Sequence, residues 1–380
     1  MNKSVIWLSS QSYPQFSKDL SYAFEQLGHV CKRLTDTTRL DTLPDPDYLF
    51  SFEIDEELQA IGHELNVPHG VWYIDKLMNY SYMTQANLEN IILFFTYRGD
   101  CDFPFSSDPL EIHYLPIAPS IDNHCVPEFN ESFDYNVSFV GSPLLEHGND
   151  FPDFCDQLTR SAERGDFDPE FKEELFQAFE SILNTQQRYT RQNTCRVTNL
   201  VKRQLSDVEF ELNDQVINPT VLSFLIGKEA ASRQRRMIMK ELENVEIFGR
   251  EEWEDVSLDQ NRYHGPVDLR TESPEVFANS KINLNIQRIY ALDGLSDRVF
   301  NVMRSGGFLL TNHIPVMEEL FEPGVHYDRY RTVNELKEKI DYYLTHESER
   351  LDIARNGQRE VRKNHSIVER TKQLLKKLPE

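Results

Sequence analysis

The stretch ALDGLSDRVFNVMRSGGFLLTN, residues 291–312, decides the fold. It opens on a loop with Asp293 and Gly294, passes into an amphipathic turn, and stops at the glycine pair Gly306 and Gly307. The apolar run Phe308 to Thr311 follows. This reads as loop, helix, tight turn and buried strand. An amide, Asn301, comes eight positions after the acid Asp293. The two flank a helix N-terminus, where free backbone N–H groups and the helix dipole favour an anion such as a diphosphate.

The same alternation runs outward in both directions. Ser4 to Ser9 is a compact apolar run. A helical pattern from Phe16 to Leu27 stops at Gly28, and His29 to Leu34 reads as a second strand. Further strands are predicted at Tyr48–Phe52, Val71–Ile74, Ile91–Thr96 and Ile112–Leu115. Beyond the Pro-rich segment Pro116 to Phe133, read as a linker, Tyr135–Gly141, Val245–Phe248 and Lys281–Ile286 repeat the pattern. Short apolar runs alternating with helices argue for parallel sheets covered on both faces. Residues 150–225 differ: they are acidic and helical, with FKEELFQAFESILNTQQRY the clearest amphipathic piece. Asn334–Leu344, Ser348–Asn364 and a basic tail from Ser366 complete the helices.

A chain of 380 residues is too long for one small core, and two domains are expected. Forty basic against 63 acidic side chains give a net charge of −23. Such a surface repels nucleic acid and anionic membrane, yet a local basic pocket for phosphate is compatible with it. No run of 18 apolar residues spans a membrane. Five scattered cysteines, Cys31, Cys101, Cys125, Cys155 and Cys195, fit reduced, mostly buried thiols in a cytoplasm.

Seven stretches stand in order along the second half: YNVSFVGS (135–142), VEIFG (245–249), YHGPV (263–267), NSKINLNI (279–286), DRVFNVMRSGGFLLTN (297–312), ELFEPG (319–324) and ERLDIARNGQREVRKNHS (349–366). In these the chain resembles the spore-maturation (CgeB-like) branch of the GT-B glycosyltransferases. The first half is similar more loosely, through VPHGVWYID (67–75), FFTYRGD (94–100) and YLPIAPSID (114–122). The resemblance implies an α/β GT-B fold: two Rossmann-like domains facing across a cleft, with a helical insertion in the second. On that plan residues 1–134 form the acceptor-side domain with its linker. Residues 135–365 form the nucleotide-sugar domain, with the insertion at about 150–225, and 366–380 a final helix. The family's donor motif sets two acids eight apart on the sugar and the ribose. Here Asp293 takes the first place and Asn301 the second.

Each candidate site residue carries a functional and a plainer reading. Arg298, beside the helix start, would neutralise the leaving diphosphate, or is a solvated helix charge. Lys281, Asn283 and Asn285 alternate with apolar residues and so share one strand face. A cleft-facing role is favoured, above all for Asn285, because unpartnered polar groups on a central strand are costly. Gly141 and Ser142 let backbone approach phosphate or sugar, or form a simple turn. Phe248, Gly249, Tyr263 and His264 stand where the family holds the nucleobase, although aromatic residues such as Phe248 and Tyr263 are more often core than base platform. Asp75, at the carboxyl end of a strand, is the candidate general base if the reaction inverts; a helix cap is the plain alternative. His69 is a second candidate. Of two D-x-D strings, Asp45/Asp47 precedes a strand and reads as a turn, whereas Asp100/Asp102 is a pair such as holds a metal in GT-A enzymes, but pairs of this kind arise by chance in so acidic a chain. No metal site is expected.

The expected function is sugar transfer from a nucleotide-diphosphate sugar, UDP- or GDP-linked, to an unidentified acceptor, by a metal-independent, hexosyltransferase-like enzyme. No other cofactor is called for. The rivals are a nucleotide-sugar epimerase or hydrolase on the same fold, and a non-catalytic scaffold. Residues 150–225 are a candidate surface for a protein partner or self-association.

Overall fold

The computed structural model describes residues 3–35, 40–76, 87–102, 105, 107–120, 125–145, 150–213, 215–256, 258 and 260–379. Two compact units are formed. The first comprises 1–120, 293–304 and 359–380, and the second comprises 121–292 and 305–358.

The first unit carries β1 (Val5–Ser9), α1 (Pro14–Gln26), β2 (Val30–Leu34), β3 (Tyr48–Ser51), α2 (Glu56–Leu65), β4 (His69–Tyr73), β5 (Ile91–Phe95) and β6 (Glu111–Tyr114). The six strands form one parallel sheet in the order β2-β1-β3-β4-β5-β6. β4 and β5 are buried at every position, HGVWY and IILFF, as central parallel strands covered on both faces must be. Gly70 is required inside β4, because a Cβ there would come 2.2 Å from the Phe50 ring. Asp55 caps α2 by accepting from the Leu58 N–H at 3.0 Å.

The second unit begins with β7 (Tyr135–Val140). It continues through α3 (Asp150–Arg164), α4 (Pro169–Thr190), α5 (Val197–Gln204), β8 (Phe210–Leu212), β9 (Gln215–Ile217) and α6 (Pro219–Glu241). Then come β10 (Val245–Phe248), β11 (Arg262–Tyr263), α7 (Ser273–Ala278) and β12 (Ser280–Asn285). Its sheet is completed after α8 by β13 (Leu309–Asn312) and β14 (Asp328–Tyr330), followed by α9 (Val333–Thr345) and α10 (Glu347–Asn364). α8 (Asp297–Arg304) and α11 (Ile367–Leu375) belong to the first unit, which α10 enters at Arg359. The parallel order β11-β10-β7-β12-β13-β14 is that of a Rossmann sheet, reversing direction between β7 and β12.

The helical region has a core of its own. Leu158, Leu175, Phe179, Ile182, Val201, Leu222 and Ile226 pack together, apart from the sheet core around Val137, Ile247, Ile282 and Leu310. Sequence reading finds helices here and misses the antiparallel hairpin β8–β9, whose strands are three residues each and too short to show a period. The region also ends differently: α6 runs unbroken from Pro219 to Glu241, capped by Asn218, which accepts from Thr220 and Val221 N–H groups.

Two other expectations are redrawn. The segment 293–304, assigned by sequence to the second domain, clusters with the first, and so does everything from Arg359. The start of the Pro-rich linker is not free chain: Ile117, Ala118 and Ser120 are buried in the first unit. Residues 121–124 of that linker lie outside the described residues. Of the five thiols, all unpaired, only Cys31 is buried; the others are half-buried.

Candidate functional site

In open α/β sheets, ligands bind beyond the carboxyl ends of the strands where strand order reverses. In the second unit that place is the end of β7 and β12. Gly141 and Ser142 follow β7 directly. Backbones come very close here: a Cβ on Gly249 would lie 2.1 Å from the Gly141 carbonyl oxygen. That same carbonyl accepts from Trp253 Nε1 at 2.6 Å, and the Gly141 N–H donates to the Phe248 carbonyl at 2.8 Å. Arg235, on α6, is 4% exposed. Its Nη1 donates to the Ser142 carbonyl at 2.8 Å and its Nη2 to the Ile286 carbonyl at 2.7 Å, tying the ends of β7 and β12 together. A buried guanidinium therefore sits at the switch point. Arg235 is not among the residues singled out from sequence, since a basic residue within a helical pattern carries no local sign of burial.

The polar face of β12 is explained without a ligand. Asn283 accepts from Ser138 Oγ at 3.1 Å and donates to the Phe277 carbonyl at 2.9 Å. Asn285, fully buried, donates to Thr311 Oγ1 at 2.9 Å. Beyond them Asn312 accepts from the Gln287 N–H at 2.7 Å and donates to Asn193 at 2.9 Å. The strand satisfies these groups sideways, so their cost is met inside the sheet. Lys281 is half-buried.

At the candidate base-binding position Phe248 is buried and stacks on His264 at 4.5 Å between ring centroids. His264 Nε2 lies 2.5 Å from Glu246 Oε2, and Tyr263 donates its hydroxyl hydrogen to the Gly249 carbonyl at 3.1 Å. Phe248 is thus a core residue, and the ring with an exposed side is His264.

In the first unit, Asp293 and Gly294 are docked on the chain after β5. The Arg98 N–H donates to the Asp293 carbonyl at 3.0 Å, and Tyr97 and Gly294 form an antiparallel bridge. A Cβ on Gly294 would meet Tyr97 Cδ1 at 2.4 Å, so only glycine permits this approach. The Asp293 carboxylate, 32% exposed, accepts from Lys76 Nζ at 2.7 Å and from the Gly99 N–H at 3.0 Å. Lys76 also lies 3.7 Å from Asp100 Oδ1, and Asp100 is 1% exposed. Lys76 was not singled out from sequence. Its place directly after Asp75, at the end of a central strand, is the signal that would have found it.

Asn301 is 3% exposed and fully engaged. Its Oδ1 accepts from the Ser120 N–H at 2.8 Å, and its Nδ2 donates to Ser120 Oγ at 3.0 Å and to Asp297 Oδ2 at 3.3 Å. A ribose-facing role would compete with these buried bonds. Gly306 and Gly307 lie at the far end of α8 from Asp297, just before β13. Gly306 has φ +85°, and a Cβ there would crowd Gln358 at 3.0 Å and Phe129 at 3.2 Å. The pair forms the helix-stop turn and lies away from the helix N-terminus. Arg298 is half-buried in the first turn of α8.

Asp75 follows β4, is exposed, and accepts from the Tyr13 hydroxyl at 2.6 Å. The chain that would test its alternative as a helix cap, 77–86, lies outside the described residues. His69 is 1% exposed and bonded through Nε2 to Ser51 Oγ at 2.8 Å. Burial pushes its pKa down to about 4, so it is neutral and enclosed, which does not suit a general base acting on an acceptor. Among the described residues no cluster of three or more potential metal ligands occurs, and no helix is long and apolar enough to cross a membrane.

Residues 230–376 match the model of a family described as Glycosyl transferase-like. No curated protein matches the chain. Among solved structures, the chain is similar to a glycosyltransferase from Rickettsia africae, at 9% identity and TM-score 0.51, over 99% of this chain and 98% of that one. It is similar to HepE of Anabaena in complex with UDP, at 10% identity and TM-score 0.52, over 98% of each chain. A third likeness is to the BGT of T4 phage in complex with its UDP-glucose substrate, at 12% identity and TM-score 0.52, again over 98% of each. At such identities the likeness is one of fold. The two six-stranded parallel sheets are those of the GT-B glycosyltransferases.

Proposed function

We propose that this chain is a glycosyltransferase that moves a sugar, a hexose by family resemblance, from a UDP- or GDP-linked donor to an acceptor hydroxyl. The observation that carries the reading is the switch point of the second sheet. Gly141 and Gly249 let the ends of β7 and β10 close on each other, and behind them Arg235, its two Nη atoms held by the Ser142 and Ile286 carbonyls, supplies a buried positive charge. That combination suits a diphosphate. The Glycosyl transferase-like match over residues 230–376 supports it, and the ordered motifs resemble those of the CgeB-like branch.

Catalysis on this reading is charge stabilisation of the departing diphosphate by Arg298 and the first amides of α8; Lys281, the second residue of β12, stands at the amino end of that strand, away from the place where ligands bind. Asp293 meets the transferred sugar, and Asp75, hydrogen-bonded to Tyr13, is the base if the reaction inverts. No metal is required. Five unpaired thiols are in keeping with a reducing, cytoplasmic setting. The separately packed helical region, residues 150–225, is the surface we assign to a protein partner.

A thermal-shift panel of nucleoside diphosphates and their sugar conjugates tests the reading, since a ligand bound only by the folded state raises the melting temperature. Failure of every nucleotide to stabilise the protein counts against it. The enclosure of Asn301 favours the rival of a non-catalytic scaffold; sugar transfer or donor hydrolysis by the wild type excludes that rival.

A further inference from the structure

The ion pair between Lys76 and Asp293 has a one-sided geometry. Both hydrogen bonds, from Lys76 Nζ at 2.7 Å and from the Gly99 N–H at 3.0 Å, land on the same carboxylate oxygen, Oδ2. The backbone of Asp293 is fixed independently, through the Arg98 N–H and the Tyr97–Gly294 bridge. Lys76 is itself anchored by the buried Asp100 carboxylate at 3.7 Å and lies 5.2 Å from the centroid of the Tyr97 ring. Gly99 leaves no slack, because a Cβ there would come 2.8 Å from Oδ2. A surface aspartate needs none of this, and its carboxylate rotates freely. Here one oxygen is clamped, and the side chain stays 32% exposed.

We infer that Lys76, Gly99 and Asp100 form a clamp that fixes Oδ2 of Asp293 and presents Oδ1 as the acceptor for a hydroxyl of the transferred sugar. Lys76 is a positioning residue, acting through Asp293. The inference rests on the proposed function and names the group that the clamp serves: a neutral sugar hydroxyl, which donates to a carboxylate whose orientation is already set. Pre-orientation spares the complex the entropy of ordering that side chain on binding.

The test is calorimetric and uses UDP, GDP and their glucose conjugates. Wild type should bind one nucleotide-sugar more tightly than its bare nucleotide. Lys76→Met should reduce that preference roughly tenfold, the scale of one charge-assisted hydrogen bond, while bare nucleotide affinity stays near wild type. Lys76→Arg should restore most of it. Lys76→Met removes an ammonium from beside the buried Asp100 carboxylate and can unfold the protein, so Gly99→Ala is the second variant. Gly99 does not occupy a positive φ, and the added methyl displaces Oδ2 directly. It should lose the preference with little change in melting temperature. In a cycle with Asp293→Asn, Gly99→Ala should cost nothing further. Full sugar preference in Gly99→Ala, or additive losses in the cycle, overturns the clamp alone. Failure of the wild type to bind any of the four ligands overturns the proposed function and the clamp with it.

Discussion

Replacing Asn301 separates a ligand role from a structural one. Asn301→Ala removes the acceptor of the Ser120 N–H and two donated bonds in a place that is 3% exposed. Leaving a buried N–H unsatisfied costs about 1–3 kcal/mol, and each net hydrogen bond lost adds about 0.5–1.5. Allowing for relaxation, the expected destabilisation is about 2–4 kcal/mol. Asn301→Asp restores the acid of the donor motif, yet it should also destabilise at neutral pH. The new carboxylate keeps the bond from the Ser120 N–H, loses both donated bonds, and faces Asp297 at the 3.3 Å now spanned by a hydrogen bond. Burial and the like charge would raise its pKa in the folded state above its unfolded value. Its cost should therefore be small in acid and grow as pH rises past the unfolded carboxylate range. Urea unfolding of wild type and both variants at pH 5 and pH 8, with nucleotide titrations alongside, is the assay. If Asn301→Ala unfolds like wild type and loses nucleotide affinity instead, Asn301 is a ligand residue and the buried clamp on Ser120 is unimportant.

Four further outcomes are expected. Arg298→Ala should weaken nucleoside diphosphate binding by about 1–3 kcal/mol, and equal affinity by calorimetry removes it as a phosphate ligand. Asp75→Asn should lower turnover roughly 10²-fold with unchanged nucleotide affinity; full turnover in steady-state kinetics points to a retaining mechanism without a base at Asp75. Transfer should survive EDTA, since the Asp100 carboxylate of the D-x-D pair already faces an ammonium at 3.7 Å; loss of activity with rescue by Mn or Mg contradicts this. His69, held neutral with a pKa of about 4, should make the protein less stable in acid. Its unfolded form takes up a proton below about pH 6.5, where the folded form does not, so stability falls by about 2 kcal/mol between pH 7 and pH 5. Urea midpoints of His69→Gln should lack that part of the pH dependence.

Much of the architecture was legible in the chain, because central parallel strands buried on both faces are mostly apolar and glycine commonly follows a helix that stops sharply. Val245–Phe248 coincides with its predicted strand, and most of the others agree within about a residue or two at each end. The two-residue β11, the hairpin β8–β9 and the three-residue β14 were invisible, since so few residues carry no period. At the candidate site, sequence could place Asp75, Gly141 and Asp293 at strand ends and loops, where ligands bind. It could not tell which polar side chains were already engaged. Asn285 and Asn301 carry the same amide whether they face a substrate or a neighbour, and only the fold brings Thr311 to one and Ser120 to the other. Lys76 and Asp293 are 217 positions apart, and Arg235 reaches carbonyls 93 and 51 positions away. Local pattern sets helix, strand and turn, because those depend on neighbours along the chain. The partners of buried charges and amides were decided by tertiary structure, because hydrogen bonds between distant segments leave no local pattern.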